Sequence, residues 1–387
     1  MNNNVYLTSK PRYEILDGLR GVAAMLVVAY HLLETYFHSF PNQPINHGYL
    51  AVDFFFVLSG FVIGYAYDDR WERMSTWNFC KRRLIRLHPM VIFGTLLGAV
   101  LFYFGDCPSF LLKDTAWWQV ALVAVWCFTM IPLPTSMDIR GWAETNPLDG
   151  AAWSLQWEYI ANILYALFIR HFSKLALSVC VAVFAVFTLI LCLDIDVTGF
   201  LQARGYISYT VVGGWSLSPD QLQIGLTRLL YPFFCGLLIS RTGKLIKVRG
   251  GFWWCSLLVV VSLGMPWMGM ETVGPGRWTN GLYEAFCIPI LFPLIVSIGA
   301  GSSVMGGKTA ALTKFLGNIS YPLYITHFPL IYMQMSWAAS HQDAPLSTHV
   351  AVSVSIFILA IAVAYASFKL YDVPVRDWLR KKLFKAA

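Results

Sequence analysis

The chain is a succession of apolar stretches, each about as long as a membrane-crossing helix, separated by short polar breaks. These stretches fall at 15–36, 50–68, 89–106, 115–133, 153–171, 175–194, 226–241, 252–270, 282–300, 317–337 and 349–371. Each approaches the roughly 20 residues that a helix needs to cross a ~30 Å hydrocarbon layer. Only 13% of the 387 residues are charged, against about 25% in a soluble domain, so most of the chain is expected to face away from water. Backbone polar groups in lipid must be satisfied within the segment, which favours helices. The fold class that follows is all-α, a polytopic transmembrane helix bundle.

Basic residues orient such a bundle, because Lys and Arg collect in cytoplasmic loops. The basic stretches are Arg70–Arg86, Arg170–Lys174, Arg241–Arg249, Lys308–Lys314 and Arg376–Lys385. They fall on one side only if 115–133 does not cross. The expectation is therefore about ten spans plus one interfacial or re-entrant segment, the latter seated by Trp117, Trp118 and Trp126. Residues 1–387 form a single membrane domain, with short cytoplasmic tails at 1–13 and 374–387. The opening MNNNVYLTSK has no apolar run with a cleavage site, so no signal peptide is expected. A net charge of +7 follows from loop Lys and Arg and implies no nucleic acid. The eight cysteines are scattered without a CxxC pair, which predicts small core residues and neither a disulfide framework nor a metal site.

An ionisable group inside a span costs a few kcal/mol or more unless paired or hydrated, so each one is a functional suspect. The first span carries Asp17, Arg20 and His31. Eleven residues separate Arg20 from His31, which turns them to within about 20° on one helix face and places them roughly 16 Å apart along it. Asp17 is spaced to pair with Arg20. The second span brings in Asp53 and Ser59, and the segment WSLQWEY brings in Glu158. In the expected topology His31, Asp53 and Glu158 share one level below the outer surface. An imidazole oriented by a carboxylate is a general-base arrangement; the alternative is a polar cluster that only ties helices together. His327, between Pro322 and Pro329, is open to either role. Arg82, Arg83 and Arg86 recur at helical spacing and suit phosphate, although cytoplasmic topology alone would also place them there. No Walker A, dinucleotide fingerprint, HExxH or nucleophile elbow is present.

Taken in order, these segments resemble the acyltransferase-3 family of integral membrane acyltransferases, which O-acylate envelope and exported glycans. LDGLRGVAAMLVVAYH resembles the first-span motif through Arg20 and His31, and GYLAVDFFFVLSGF the second through Gly48, Asp53, Phe55, Phe56, Ser59, Gly60 and Phe61. FCKRRLIRLHP is similar to the Arg-x-x-Arg element through Arg83 and Arg86. WSLQWEY matches through Trp153, Ser154, Leu155 and Glu158, and LGNISYPLYITHFPL through Gly317, Ser320, Tyr321, His327 and Pro329. Ala51 stands where Gly is frequent, and Asp372 where Glu is.

The resemblance implies ten core spans in a bacterial inner membrane, an acyl-CoA donor (acetyl-CoA by family habit) reached from the cytoplasm, and a glycan or lipid-linked saccharide acceptor outside. Combined with the residue reading, it assigns His31, Glu158 and Asp53 to catalysis. His31 would be the base, oriented by Glu158 or Asp53. Arg20, Arg82, Arg83 and Arg86 would hold the CoA phosphates. Ser59, Trp153, Tyr321 and His327 are candidates for acceptor or oxyanion contacts. No metal is implied, and membrane lipids are the remaining partner. The rival function is a glycan or lipid transporter or flippase with a polar path, although no repeated halves are visible.

Overall fold

The computed structural model describes residues 10–37, 42–105, 115–204, 208–269, 278–304 and 306–384. Most of the expected tail 1–13, the end of the tail 374–387, Cys107 and parts of the loops at 37–49, 107–152, 195–225 and 271–281 lie outside these residues. The described residues contain helices and no strand. In chain order the helices are α1 (Glu14–Glu34), α2 (Ala51–Tyr67), α3 (Thr76–Phe104), α4 (Trp117–Phe128), α5 (Ala152–Leu167), α6 (Lys174–Cys192), α7 (Pro219–Thr242), α8 (Gly251–Gly264), α9 (Trp278–Phe286), α10 (Phe292–Gly301), α11 (Gly307–Ser340), α12 (Leu346–Ser367) and α13 (Val373–Leu383).

Seven continuous segments are long and apolar enough to cross a membrane: α1, α2, α3, α6, α7, the pair α9–α10, and α12 running on into α13. A π-helical turn, Cys287–Leu291, joins α9 to α10. α8 is apolar but short, at 14 residues, and α5, at 16 residues, is both short and interrupted by Gln156, Glu158 and Asn162. α11 has 34 residues and is less apolar, because Asn318, His327 and two prolines run through its middle. α4 occupies only 12 residues of the 115–133 stretch. At ~1.5 Å per residue it reaches about 18 Å, too short to cross. The tail expected from 374 is helical as far as Leu383, and the Arg82 guanidinium sits over the ring of Phe384 just beyond it, 4.3 Å from the centroid.

α1 packs along α11, and α2 along α7. The second pair crosses on glycine. A Cβ at Gly60 would strike the carbonyl of Phe233, and a Cβ at Gly236 would strike that of Val57. Between lipid-embedded helices there is no hydrophobic gain from association, so this close approach of backbones supplies the dispersion contact that holds them. The pairs α1–α11 and α2–α7, with α3 and α5 beside them, surround the polar residues singled out above.

α5 is short for a structural reason. The chain before it, from Thr145 to Ala151, is already buried. Thr145 accepts a hydrogen bond from Leu133 N–H and donates its own N–H to Trp215, at 3.0 and 2.8 Å. The connection therefore dips into the bundle before the helix begins, and α5 starts below the rim.

Candidate active site

Two cavities lie in the core. The larger, about 850 Å3, opens where α1 ends and α2 begins. His31, Glu34, Tyr49, Trp153, Arg228 and Tyr324 are among its walls. The smaller, about 120 Å3, lies toward the opposite ends of the same helices and is lined by Arg20, Ser59, Arg83, Arg86, Glu158 and Tyr321. Val52 and Tyr324 border both, so the two cavities are neighbours, separated by side chains of α2 and α11.

His31 sits in the last turns of α1. Its Nδ1 lies 2.7 Å from a carboxylate oxygen of Glu34, three residues on and hence on the same face. An ionised carboxylate only accepts, so Nδ1 carries the proton and Nε2 keeps a lone pair. The carboxylate partner is therefore Glu34, where Glu158 or Asp53 was expected. The i,i+3 spacing from His31 to Glu34 is the signal that sequence reasoning passed over. The Phe328 ring meets the imidazole edge-on at 4.6 Å, and the His327 ring lies 5.5 Å away, centroid to centroid. His327 is fully buried. Its Nδ1 donates to the carbonyl of Tyr324 at 2.8 Å, and its Nε2 has no hydrogen-bond partner among the described residues.

Asp53 is committed elsewhere. Both its oxygens receive the guanidinium of Arg228 from α7, the shortest contact being 2.7 Å. The two side chains are 0% and 1% exposed. Arg228 also donates to the carbonyls of Gly213 and Tyr49, at 3.0 and 2.7 Å. A buried charge needs this degree of pairing to persist. Sequence reasoning missed Arg228 because α7 begins at Pro219 rather than near 226. An arginine that looked like a helix-end cation lies in the third turn of the helix.

Glu158 also departs from expectation. Because α5 starts low, Glu158 faces the small pocket instead of the level of His31. It accepts from Arg83 at 2.7 Å and from the Ser59 hydroxyl at 3.0 Å, while Arg83 Nε donates to Asn162 at 2.7 Å. Arg20 bonds Asp17 at 3.1 Å, the pairing that their spacing predicts. Arg86 lines the pocket with no carboxylate within ion-pair distance among the described residues. Arg82 does not join them; its guanidinium is turned to Phe384. Tyr321 donates to the Leu87 carbonyl at 2.6 Å. Trp153 lines the large cavity, as does Tyr324, whose hydroxyl lies 2.7 Å from that of Ser154.

Chemically, the large cavity presents an imidazole with its carboxylate, and the small one presents arginines of a kind that suits an anion. The family model described as an acyltransferase domain matches residues 13–368. The chain belongs to this acyltransferase family, and with its apolar helices it is an integral membrane enzyme.

Three relatives give this more detail. The O-acetyltransferase OatA of Staphylococcus aureus is 27% identical over 394 aligned positions, covering 97% of this chain and 58% of that protein. YrhL of Bacillus subtilis, whose name carries a provisional assignment as a peptidoglycan O-acetyltransferase, is 24% identical over 378 positions, 93% of this chain and 54% of that protein. Protein 2 of the picA locus of Rhizobium radiobacter is 34% identical over 165 positions, 40% of this chain and 81% of that protein. The chain spans little more than half the length of the first two. No solved structure matches it significantly.

Proposed function

We propose that this chain is a transmembrane O-acetyltransferase that moves an acetyl group from acetyl-CoA at the cytoplasmic face to a hydroxyl of an envelope glycan on the far side of a bacterial inner membrane. In this reading the chain termini and the arginine pocket are cytoplasmic, and the large cavity opens outward. One observation carries it: the His31–Glu34 pair opens on a cavity that neighbours an arginine-lined pocket across Val52 and Tyr324. The names of OatA and YrhL support the acetyl group, and that of YrhL makes peptidoglycan the first acceptor to try.

The donor's phosphates bind at the arginine end. Arg83 and Arg20 already hold carboxylates, so Arg86 supplies the uncommitted positive charge. The pantetheine arm passes between Val52 and Tyr324 and presents the thioester to the large cavity. His31 Nε2 takes the proton of the acceptor hydroxyl as its oxygen attacks the thioester carbonyl carbon. The C–S bond then breaks, and the proton passes from the imidazolium to the departing CoA thiolate. Glu34 holds the ring in the required tautomer and balances its transient charge. Ser59, Tyr321 and Tyr324 direct their hydroxyl hydrogens to Glu158, Leu87 and Ser154; of the three, Tyr324 lines both cavities, and its hydroxyl turns from Ser154 to donate to the oxyanion.

The test uses the purified chain in proteoliposomes sorted by orientation, with radiolabelled acetyl-CoA on one side and soluble glycan fragments on the other. Label is expected on the glycan only when the donor is on the side of the termini. Transfer that requires donor and acceptor on the same side would overturn the reading.

A further inference from the structure

Part of the large cavity's lining comes from two connections and the start of α5, and it is indole-rich. Trp142 comes from the connection before α5, Trp153 from the first turn of α5, and Trp215 from the connection before α7. Trp153 and Trp215 meet edge to face with centroids 6.5 Å apart. The Thr145–Trp215 backbone bond, 2.8 Å, ties the two connections together. A pyranose has apolar C–H faces and a rim of hydroxyls. Indole faces cover the former, and carboxylates accept from the latter.

The charge on this wall is one-sided. Arg228 is the single Lys or Arg among the described lining residues, and Asp53 and two carbonyls already neutralise it. What remains on the lining is Glu34 beside His31, and Glu144, which accepts from the Tyr332 hydroxyl at 2.8 Å; the Arg140 guanidinium, not itself a lining group, lies over the Tyr332 ring 3.6 Å from its centroid. We infer that the large cavity is a subsite for an uncharged pyranose and that Glu34 and Glu144 select against sugars bearing a carboxylate. This rests on the reading that an acceptor glycan enters here, and it narrows the acceptor to neutral sugar units. The volume, about 850 Å3, lies within the ~300–1,000 Å3 range of small-molecule sites.

Glu144 makes the selection pH-dependent. Burial pushes its pKa up to about 7; Arg140 of its own segment and the hydrogen bond from Tyr332 of α11 oppose the rise, and Asp138 and Glu34 of α1 add to it. Asp149, in the same connection, and His349 of α12, which lines the same cavity, are the further titratable groups near it. Discrimination is therefore expected to strengthen as pH rises from 6 to 8 and Glu144 ionises.

Calorimetric binding to the purified full chain, without any acyl donor, tests this with two probes of equal length, an N-acetylglucosamine trimer and a galacturonate trimer. At pH 8 the neutral trimer is expected to bind at least tenfold tighter. Glu144→Gln should shrink that ratio several-fold and remove its change between pH 6 and 8. Trp142→Ala should weaken the neutral trimer's affinity severalfold, with thermal unfolding confirming a folded protein. Equal affinities for the two trimers, binding of neither, or a ratio indifferent to Glu144→Gln would overturn the inference. Discrimination by a chain that transfers no acyl group would uphold the subsite and sink the catalytic reading. Acyl transfer without discrimination would do the reverse.

Discussion

The two cavities use the same residue types in opposite ways. In the large one, carboxylates prevail: Glu34 holds an imidazole, Glu144 a phenol, and the nearby arginine is already paired. In the small one, arginines prevail: Arg83 holds Glu158, Arg20 holds Asp17, and Arg86 is left without an ion-pair partner among the described residues. Under the proposed function, cavities biased in this way would attract an anion to the small one and a neutral or proton-donating group to the large one. The difference also separates two kinds of buried acid. Asp53 and Glu158 are tied to guanidinium groups and hold helices in register, whereas Glu34 is tied to a group that can gain and lose a proton.

Substitutions at the two ends can break this comparison, and the largest effect is expected at His31. With His31→Ala, transfer of label from acetyl-CoA to glycan should fall by roughly 10²–10⁴, the usual contribution of a general base, while the melting curve is preserved. A residual rate within threefold of the parent would remove His31 from the chemistry. Next comes the pair that ties α2 to α7. Asp53→Ala leaves Arg228 buried and uncompensated, which is expected to cost about 3–5 kcal/mol. The measurement is unfolding of the detergent-solubilised protein, and an unchanged midpoint would mean that the pair is hydrated. Smaller again is Arg86→Ala. Losing one charge-assisted contact to phosphate, about 1.5–3 kcal/mol, should raise KM for acetyl-CoA roughly tenfold or more with kcat little altered. A fall in kcat with unchanged KM would assign Arg86 to the reaction step instead.

Much of the bundle was legible before any coordinates, because lipid imposes a length and a polarity on every crossing segment. The apolar runs, the same-face placement of Arg20 and His31 and the Asp17–Arg20 pair follow from the 3.6-residue period alone. Less was legible about which buried groups meet. Glu158 was expected level with His31, on the assumption that α5 begins at the rim; the connection from Thr145 to Ala151 dips into the core and lowers it. Arg228 was hidden by a span start set seven residues late, at 226 instead of Pro219. Arg82 was grouped with its neighbours by spacing, but one position on a helix turns a side chain by about 100°, here toward Phe384.

By itself the sequence determined the solvent of this protein: an apolar surface, helical spans and a few ionisable residues too costly to be there without purpose. Those properties are local, since each segment must satisfy its own backbone and hydropathy wherever it ends up. Tertiary structure alone decided the long-range pairing, giving Arg228 to Asp53 and Arg83 to Glu158, whereas Glu34 meets His31 within one helix. Long-range pairing depends on where helices start, how deep connections dip and how closely glycines let backbones approach, and these are set by contacts between segments far apart in the chain.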